Sequence, residues 1–351
     1  MPERQQPRHI GMKASSSRTS SGWTHRPFVA GRWEWTRFQV SLAAVLFAGL
    51  ALARSAEDTS LPKPDGLSFS LQGEAGRLDL NYKGKRLLQY AFATNQFKPY
   101  VRELYTLQGD NILLDSPADH VHHHGLMYAV RVNGINFWEE AANPGVQKPV
   151  GLPVAELVSA ADPPRARISQ TIHWVARQDR WLTNTAPAAL LIERRDLTLT
   201  VNETYDEVAL AWYAQFEVGP AVPKVTLSGA PYHGLGLRLP RNWDHVAKHK
   251  NAAGLPYSAE QKGDVTTALW SVIENTIAGR PVSVAMFARR ANAGKARFFT
   301  MLDAFAYVSA TQDLENVPLE YTSGQRFNLD YLVLVYSTHR TREFLQQRYE
   351  Q

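Results

Sequence analysis

The chain has 351 residues, 44% of them hydrophobic and 20% charged, which predicts a folded globular protein and excludes a wholly disordered chain. It contains no cysteine, which excludes disulfides, a thiolate nucleophile, iron–sulfur clusters and thiolate metal sites. The formal net charge of +5 comes from residues 1–53, where seven basic side chains stand against two acidic ones, so residues 54–351 are neutral overall and binding to nucleic acid is not predicted.

A basic, serine-rich segment leads into the apolar run VSLAAVLFAGLALA, from Val40 to Ala53. The run is shorter than the roughly 20 residues that span a membrane, and it ends in small residues typical of a signal-peptide cleavage site. We interpret residues 1–53 as an export signal cleaved after Ala53, with translation beginning at Met1 or Met12 and an uncleaved anchor as the alternative. This predicts a periplasmic or extracellular protein with no stable membrane span after cleavage.

A polar segment, residues 54–66, precedes a long region in which apolar and polar residues alternate, the pattern of half-buried strands. The clearest examples are GLSFSLQG, ARISQTIHWVAR, DLTLTVNE, EVALAWYAQFEV, PVSVAMFA and RFNLDYLVLVY. Only THRTREFLQQRYE, from Thr338, has the spacing of a helix. We predict that residues 67–351 form a single all-β domain, a large and mostly antiparallel two-sheet sandwich with a short C-terminal helix.

The segment DHVHHHG places His120, His122, His123 and His124 beside Asp119. If it is extended, strand alternation puts His120, His122 and His124 on one face and His123 on the other. Three converging imidazoles are candidate ligands for iron or copper, and equally candidate acid/base catalysts, with Asp119 orienting one ring. A solvated patch, or histidines paired in the core, is the alternative without chemistry.

Charged and aromatic residues flank this cluster on both sides. Tyr100 and Arg102 precede it, and Trp138 follows it, next to Glu139 and Glu140. Arg102 is a candidate clamp for a carboxylate or a sugar hydroxyl, and Trp138 is a candidate surface on which a sugar ring stacks. A core tryptophan beside a surface arginine is the alternative.

Three residues farther along the chain are further candidates. Glu217 alternates with the apolar residues of its strand and is a candidate base, or simply an exposed carboxylate. His233 and Arg238, in PYHGLGLRLP, are predicted to line a concave face. The chain has no glycine-rich phosphate loop, nucleophile elbow or dinucleotide motif, so no nucleotide cofactor is predicted.

The segments KPYVRELYTLQGDNILLDSPADHVHHHGLMYAV and NGINFW resemble the motif of a secreted bacterial family labelled "methane oxygenase PmoA". Asp119, His120, His122, His123 and Gly125 fall on that motif. The chain departs from it where Val121 replaces proline and Lys98 replaces arginine, and in the later block around Trp270. The family is similar in size and strand content to the aldose-epimerase super-sandwich, in which histidines and a glutamate act on a sugar ring.

These observations favour an exported carbohydrate-active enzyme, an isomerase, lyase or hydrolase, that uses the histidine cluster for proton transfer on a small-molecule or glycan ligand. A second hypothesis is a glycan-binding β-sandwich without catalysis. A third follows the family label and makes His120, His122 and His124 the ligands of a divalent metal for oxidative chemistry.

Overall fold

Antiparallel strands form three sheets in this computed structural model, which describes residues 66–141, 144–176, 188–258 and 263–351. These residues belong to one compact unit, Ser60–Gln351. The export signal and cleavage site predicted in residues 1–53 lie outside the described residues. The predicted fold class is confirmed, with a third, smaller sheet in addition to the two that the sequence predicts.

The first sheet has nine strands, of which β1 and β15 lie at the edges. In spatial order the strands are β1 (Leu67–Gln72), β2 (Arg77–Tyr82), β3 (Lys85–Ala91), β4 (Tyr100–Leu104), β5 (Leu126–Ala129), β13 (Gly234–Arg238), β19 (Tyr307–Thr311), β18 (Arg297–Met301) and β15 (Asp264–Thr266).

The second sheet has eight strands, including the longest of the described residues. In spatial order they are β14 (Lys248–Asn251), β16 (Trp270–Ile277), β17 (Arg280–Ala288), β21 (Arg326–Tyr336), β11 (Glu207–Val218), β10 (Leu191–Asn202), β9 (Arg165–Ala176) and β8 (Gly145–Ser159).

The remaining elements are short. A four-stranded sheet contains β20 (Leu319–Thr322), β12 (Lys224–Ser228), β6 (Arg131–Val132) and β7 (Ile135–Asn136), and a 3-10 turn covers Arg241–Trp243. The predicted C-terminal helix is confirmed as α1 (Arg342–Glu350), with the Thr341 hydroxyl accepting a hydrogen bond from the Phe344 amide at its N-terminus. The described residues include no apolar helix of membrane-spanning length.

The core lies between the two large sheets. Along β9, β10 and β11 buried residues alternate with half-buried ones, as period-two patterning requires. Tyr128 of β5 packs its ring against Trp174 of β9 and Phe216 of β11, with ring centroids 5.9 and 5.7 Å apart. Aromatic side chains of the two facing sheets therefore fill one continuous apolar layer.

The outer face of the nine-stranded sheet, on the side away from this core, carries side chains that lie beneath the histidine cluster. Leu235 of β13 pairs with Tyr128, whose ring points into the core, so Leu235 and Leu237 also point inward. Gly236 and Arg238 then lie on the opposite face, as does Tyr307, which pairs with Arg238 across the strands. This outer face supports the loops that hold the histidine cluster.

A buried ion pair on β10 connects the eight-stranded sheet to the segment that leads into β4. The Arg195 guanidinium is bound to Glu193 through Nε at 2.6 Å, and its Nη1 donates to the Pro99 carbonyl at 2.8 Å. The Trp174 indole donates to the same carboxylate at 2.8 Å. Both charged side chains are almost fully buried, so each depends on the other for compensation of its charge.

We therefore expect Arg195→Met to lower the free energy of unfolding by about 3–5 kcal/mol, because it leaves the Glu193 carboxylate buried without a counter-charge. The double variant Glu193→Gln/Arg195→Met removes both charges and should lose markedly less than the single variant. Urea unfolding of the three proteins checks this, and equal losses in the single and double variants would contradict it.

Candidate functional site

The four clustered histidines lie in a loop between β4 and β5, not in a strand. Residues 117–123 form two consecutive turns, in which the His120 amide donates to the Pro117 carbonyl and the His123 amide to the His120 carbonyl, each at 2.9 Å. The prediction that strand alternation places His120, His122 and His124 on one face, with His123 opposite, is therefore wrong. Each turn changes the direction of the backbone, so the period-two rule for an extended strand does not decide which side chains share a face.

The base of this loop is closed at two points. Asp115 and His124 form an isolated antiparallel bridge. Gly125 follows with a φ of +42°, and a Cβ at this position would lie 2.3 Å from the Val101 carbonyl oxygen. Glycine is therefore required where the loop returns to the sheet, because any other residue would collide with β4.

Three of the four imidazoles gather above the outer face of the sheet. The ring centroids are 4.6 Å apart for His120 and His123, 4.7 Å for His122 and His123, and 5.8 Å for His120 and His122. The ring of Tyr307 stacks on His123 at 5.5 Å from below. His123 is thus the buried base of the trio, with His120 and His122 beside it and half-buried.

Burial decides the charge state of two of these rings. It lowers the pKa of His123 to about 2, helped by the neighbouring His122 and His120. Burial and the nearby Lys98 ammonium also lower the pKa of His122. Both rings are therefore neutral near pH 7 and present one N–H donor and one lone pair each.

His120 is oriented by a carboxylate. Its Nδ1 lies 3.0 Å from Asp119 Oδ2, at a rim where the two side chains are 36% and 37% exposed. Arg241 Nη2 lies 2.8 Å from the other Asp119 oxygen, and Arg238 Nη2 lies 3.7 Å away. The hydrogen bond with His120 and the one from Arg241 hold the pKa of Asp119 well below its usual range, so this carboxylate stays ionised.

Arg238 forms the floor under this pair. Its guanidinium lies over the Phe305 ring at 4.2 Å from the centroid and donates through Nη1 to the Ala306 carbonyl at 3.2 Å. The side chain is only 1% exposed, whereas the sequence predicted that Arg238 lines a concave face. Its Nη2 lies close to Asp119 but is too far for a hydrogen bond.

His124 points away from the trio into a separate charged network. Its Nδ1 lies 3.1 Å from Asp115 and its Nε2 lies 2.8 Å from Glu140. Burial opposes charge on this ring, but hydrogen bonds to Asp115 and Glu140 prevail and raise the pKa of His124. The buried Lys98 ammonium binds Glu140 at 2.7 Å, and His124 and Lys98 together lower the pKa of Glu140 to about 2 against its burial.

Tyr100 and Arg102 belong to this network. The Tyr100 ring stacks on His124 at 4.6 Å, and its hydroxyl donates to Asp115 at 3.2 Å. Arg102 Nε lies 3.1 Å from the same carboxylate. Tyr100 is buried and Arg102 is half-buried, so Arg102 alone of the two also faces solvent.

Trp138 is a core residue, not a platform for a sugar ring. The side chain is fully buried, and its indole stacks on His233 at 5.2 Å. Gly236 makes this possible, since a Cβ there would lie 2.6 Å from the indole. His233 is buried as well, with Nε2 3.7 Å from Glu139. Neither residue presents a surface to a ligand. Removing the large apolar indole ring from water is energetically favourable, which explains why Trp138 lies inside the protein.

Glu217 lies elsewhere. It is on β11 of the eight-stranded sheet, where Arg326 of the neighbouring strand binds it at 2.7 Å. Among the described contacts it has none with the histidines. The alternating pattern gives the correct face of the strand but not the sheet to which the strand belongs.

The proposed metal ligands do not fit a metal centre. Of the residues that the structure describes, no three histidine, aspartate or glutamate side chains are arranged to hold an ion. His124, one of the three predicted ligands, has both ring nitrogens engaged by carboxylates. No step through a metal follows from this arrangement.

Several residues of the site were missed in the sequence. Arg241, after β13, binds Asp119; Phe305, after β18, packs on His120; and Asp115 binds His124 across the loop. None of them lies in a recognisable motif. Only Asp115, in the segment just before the cluster, could have been suspected from its position.

We expect the stability contributed by His124 to depend on pH. Its pKa is higher in the folded protein than the ordinary 6.5, so the contribution is complete below about pH 6.5 and is lost as the pH rises through the folded value. His124→Gln should lower the free energy of unfolding by about 2 kcal/mol near pH 6, and by less near pH 9.

His173→Gln is the control, because burial lowers the pKa of His173 and its contribution has the opposite slope with pH. Denaturant unfolding of both variants between these pH values provides the measurement. A loss for His124→Gln that is constant or grows with pH would refute the charged imidazole.

Comparison with known proteins gives a family but no activity. No curated protein matches the chain. Solved structures match at low identity, and the chain spans less than half the length of each of the following three. One is the galactosidase domain of the α-galactosidase–sucrose kinase AgaSK (8% identity, TM-score 0.40, 77% of this chain and 42% of that chain).

Two further solved structures match with similarly low sequence identity and TM-score. The α-galactosidase AgaB of Geobacillus stearothermophilus, of glycoside hydrolase family GH36, is 11% identical with a TM-score of 0.44, over 77% of this chain and 41% of that chain. A TPR-domain-containing protein from Parabacteroides distasonis is 9% identical with a TM-score of 0.39, over 76% and 48%.

A family model matches residues 77–350, which include every candidate residue discussed above. Its description names no activity, and the methane-oxygenase label stays an expectation from the sequence resemblance. The chain belongs to the family of unknown function DUF6807.

Proposed function

We propose that this chain is an exported enzyme of the isomerase or lyase type, in which Asp119 and His120 transfer a proton at a carbon atom of a carbohydrate. The observation that supports this best is the 3.0 Å contact between Asp119 Oδ2 and His120 Nδ1 at a rim that is about one-third exposed. A carboxylate on one ring nitrogen leaves the other nitrogen available to a substrate.

The chemistry follows from the ring that Asp119 orients. When His120 Nδ1 donates to the carboxylate, Nε2 carries a lone pair that accepts a proton from the substrate. The resulting imidazolium is stabilised by the ionised carboxylate. Arg241, bound to Asp119 at 2.8 Å, keeps that carboxylate ionised and in place.

The two other rings of the trio have supporting roles. His122 is neutral near pH 7, because burial and Lys98 lower its pKa, so its N–H can donate to the negative charge that develops on a substrate oxygen. His123 is buried between His120 and Tyr307 and positions the His120 ring. It does not contact the substrate.

Proton transfer at carbon fits this site better than glycoside hydrolysis. Hydrolases of sugars mostly use two carboxyl groups, one of which must be protonated as an acid. Asp119 is the carboxylate in contact with the trio, and its pKa is held well below the usual range. It therefore cannot serve as that acid near neutral pH.

A carbohydrate is the substrate class that the sequence resemblance implies, and the side chains suit it. The half-exposed rings of His120 and His122, the Arg241 guanidinium and the Asp119 carboxylate offer both donors and acceptors for hydroxyl groups. Export of the enzyme rests on the signal predicted for residues 1–53. A site that binds sugars without reacting is the outcome that would support the second hypothesis instead.

The proposal is tested by proton exchange. We expect the protein, incubated in D₂O with a panel of aldoses, uronic acids and unsaturated oligosaccharides, to exchange or eliminate a carbon-bound proton of at least one compound, detected by ¹H NMR. His120→Gln should lower that rate about 10²–10⁴-fold, and Asp119→Asn should lower it as well.

His173→Gln is the matched control, since His173 lies on β9 and has no described contact with the trio. It should retain the wild-type rate. A compound that raises the melting temperature without proton exchange would assign a binding function, and a reaction that is unchanged in His120→Gln would exclude His120 as the base.

A further inference from the structure

An exposed aliphatic surface lies on β8, a strand that carries none of the residues of the proposed active site. Of the eleven large hydrophobic side chains that are exposed in the described residues, five lie on the single strand β8, each between 46% and 63% exposed. They are Val150, Leu152, Val154, Leu157 and Val158. A sixth, Leu71 on β1, belongs to the neighbouring edge of the other sheet. Clustering of this kind is unusual for a monomer.

Both strands lie at sheet edges. β8 is the last strand of the eight-stranded sheet and β1 the last strand of the nine-stranded sheet. Leu152 lies against Gly73 at the end of β1, where an added Cβ would be 3.5 Å from its Cδ2. The aliphatic surface therefore continues from one sheet to the other, and no described strand covers it.

The residues of β8 alternate in a self-complementary order. Lys148, Val150, Leu152, Val154 and Glu156 are all exposed and occupy every second position in the sequence. The pairing with β9 is interrupted between Val150, opposite Thr171, and Val154, opposite Ser169, so Leu152 lies at the irregular centre of the row. We call these five residues the β8 row. Turned end to end about Leu152, the β8 row places valine against valine and lysine against glutamate.

We propose that the β8 row docks on the β8 row of a second copy of this chain, antiparallel and related by a two-fold axis at Leu152. Leu152 then meets its own equivalent, Val150 meets Val154, and Lys148 meets Glu156, each contact occurring twice. The two lysine–glutamate pairs fix the register, because the aliphatic contacts alone would not distinguish one register from another.

The charges favour a second copy over other partners. An anionic membrane surface selects for basic residues, and a glycan for aromatic ones, whereas the β8 row carries one charge of each sign at equal spacing from its centre. Glu156 also binds Arg167 of its own chain, but both side chains are about half exposed, so the carboxylate stays accessible to a second cation.

Two prolines show how the copies meet. Pro149 and Pro153 have no N–H to donate to a second copy. Between them the register with β9 shifts, from Val150 to Val154, and Gly151 has a φ of +71°, so the edge of β8 is not a regular strand. A long hydrogen-bonded ladder is therefore blocked, and the contact is made by side chains.

Sedimentation velocity over about 1–200 µM protein tests the proposal. A small aliphatic interface predicts a reversible dimer with a dissociation constant on the order of 10 µM. Leu152→Glu places two like charges at the axis and should weaken association more than tenfold. A wild-type protein that is monomeric throughout, or a monomer that binds vesicles of anionic lipid through this surface, would overturn the proposal.

A charge swap tests the register itself. Lys148→Glu and Glu156→Lys should each weaken the dimer about fivefold, because each brings like charges together. The double variant Lys148→Glu/Glu156→Lys restores both pairs and should return to within about twofold of the wild type.

Lys85→Glu, at an exposed lysine that begins β3, is the control and should leave association unchanged. Circular dichroism and melting temperature confirm that each variant is folded. Association that is equal in the single variants and the wild type, or a double variant no stronger than the single ones, would overturn the register.

Discussion

The site depends on one imidazole held between two carboxylates. His124 bridges Asp115 and Glu140, and the buried Lys98 holds Glu140 from the other side. These contacts join Asp115, just before the histidine turns, to His124, at their end, and to Glu140, in the segment after β7. Because these charges fix the base of the loop, the turns above it begin and end at defined places, and the three remaining imidazoles gather over the outer face of the sheet.

Five consecutive positions thus give histidine three different environments. His124 is half-buried between two carboxylates and favours the charged form, whereas His123 is buried among rings and stays neutral. His120 lies at the rim with a single carboxylate. The local partners, not the residue type, divide the cluster into a structural ion, a neutral support and a ring available for proton transfer.

The sequence predicts the fold better than the site. Alternation gives β11 and β21 with the bounds of EVALAWYAQFEV and RFNLDYLVLVY, because a half-buried strand must alternate. The same rule fails for the histidine loop, since polar residues beside proline and glycine form turns as readily as strands. The prediction for Trp138 fails for a related reason: composition does not show whether an aromatic ring lies inside or outside. Partners such as Arg241, which follow a different strand, have no local signal at all.

Histidine side-chain ¹⁵N NMR tests the central claim most directly. Near pH 6, below the ordinary pKa of about 6.5, the account predicts that both ring nitrogens of His124 are protonated, and that replacement of Asp115 or Glu140 by its amide removes this signature. A neutral His124 with one protonated nitrogen at that pH would contradict the bridge between the carboxylates, and with it the arrangement of the loop.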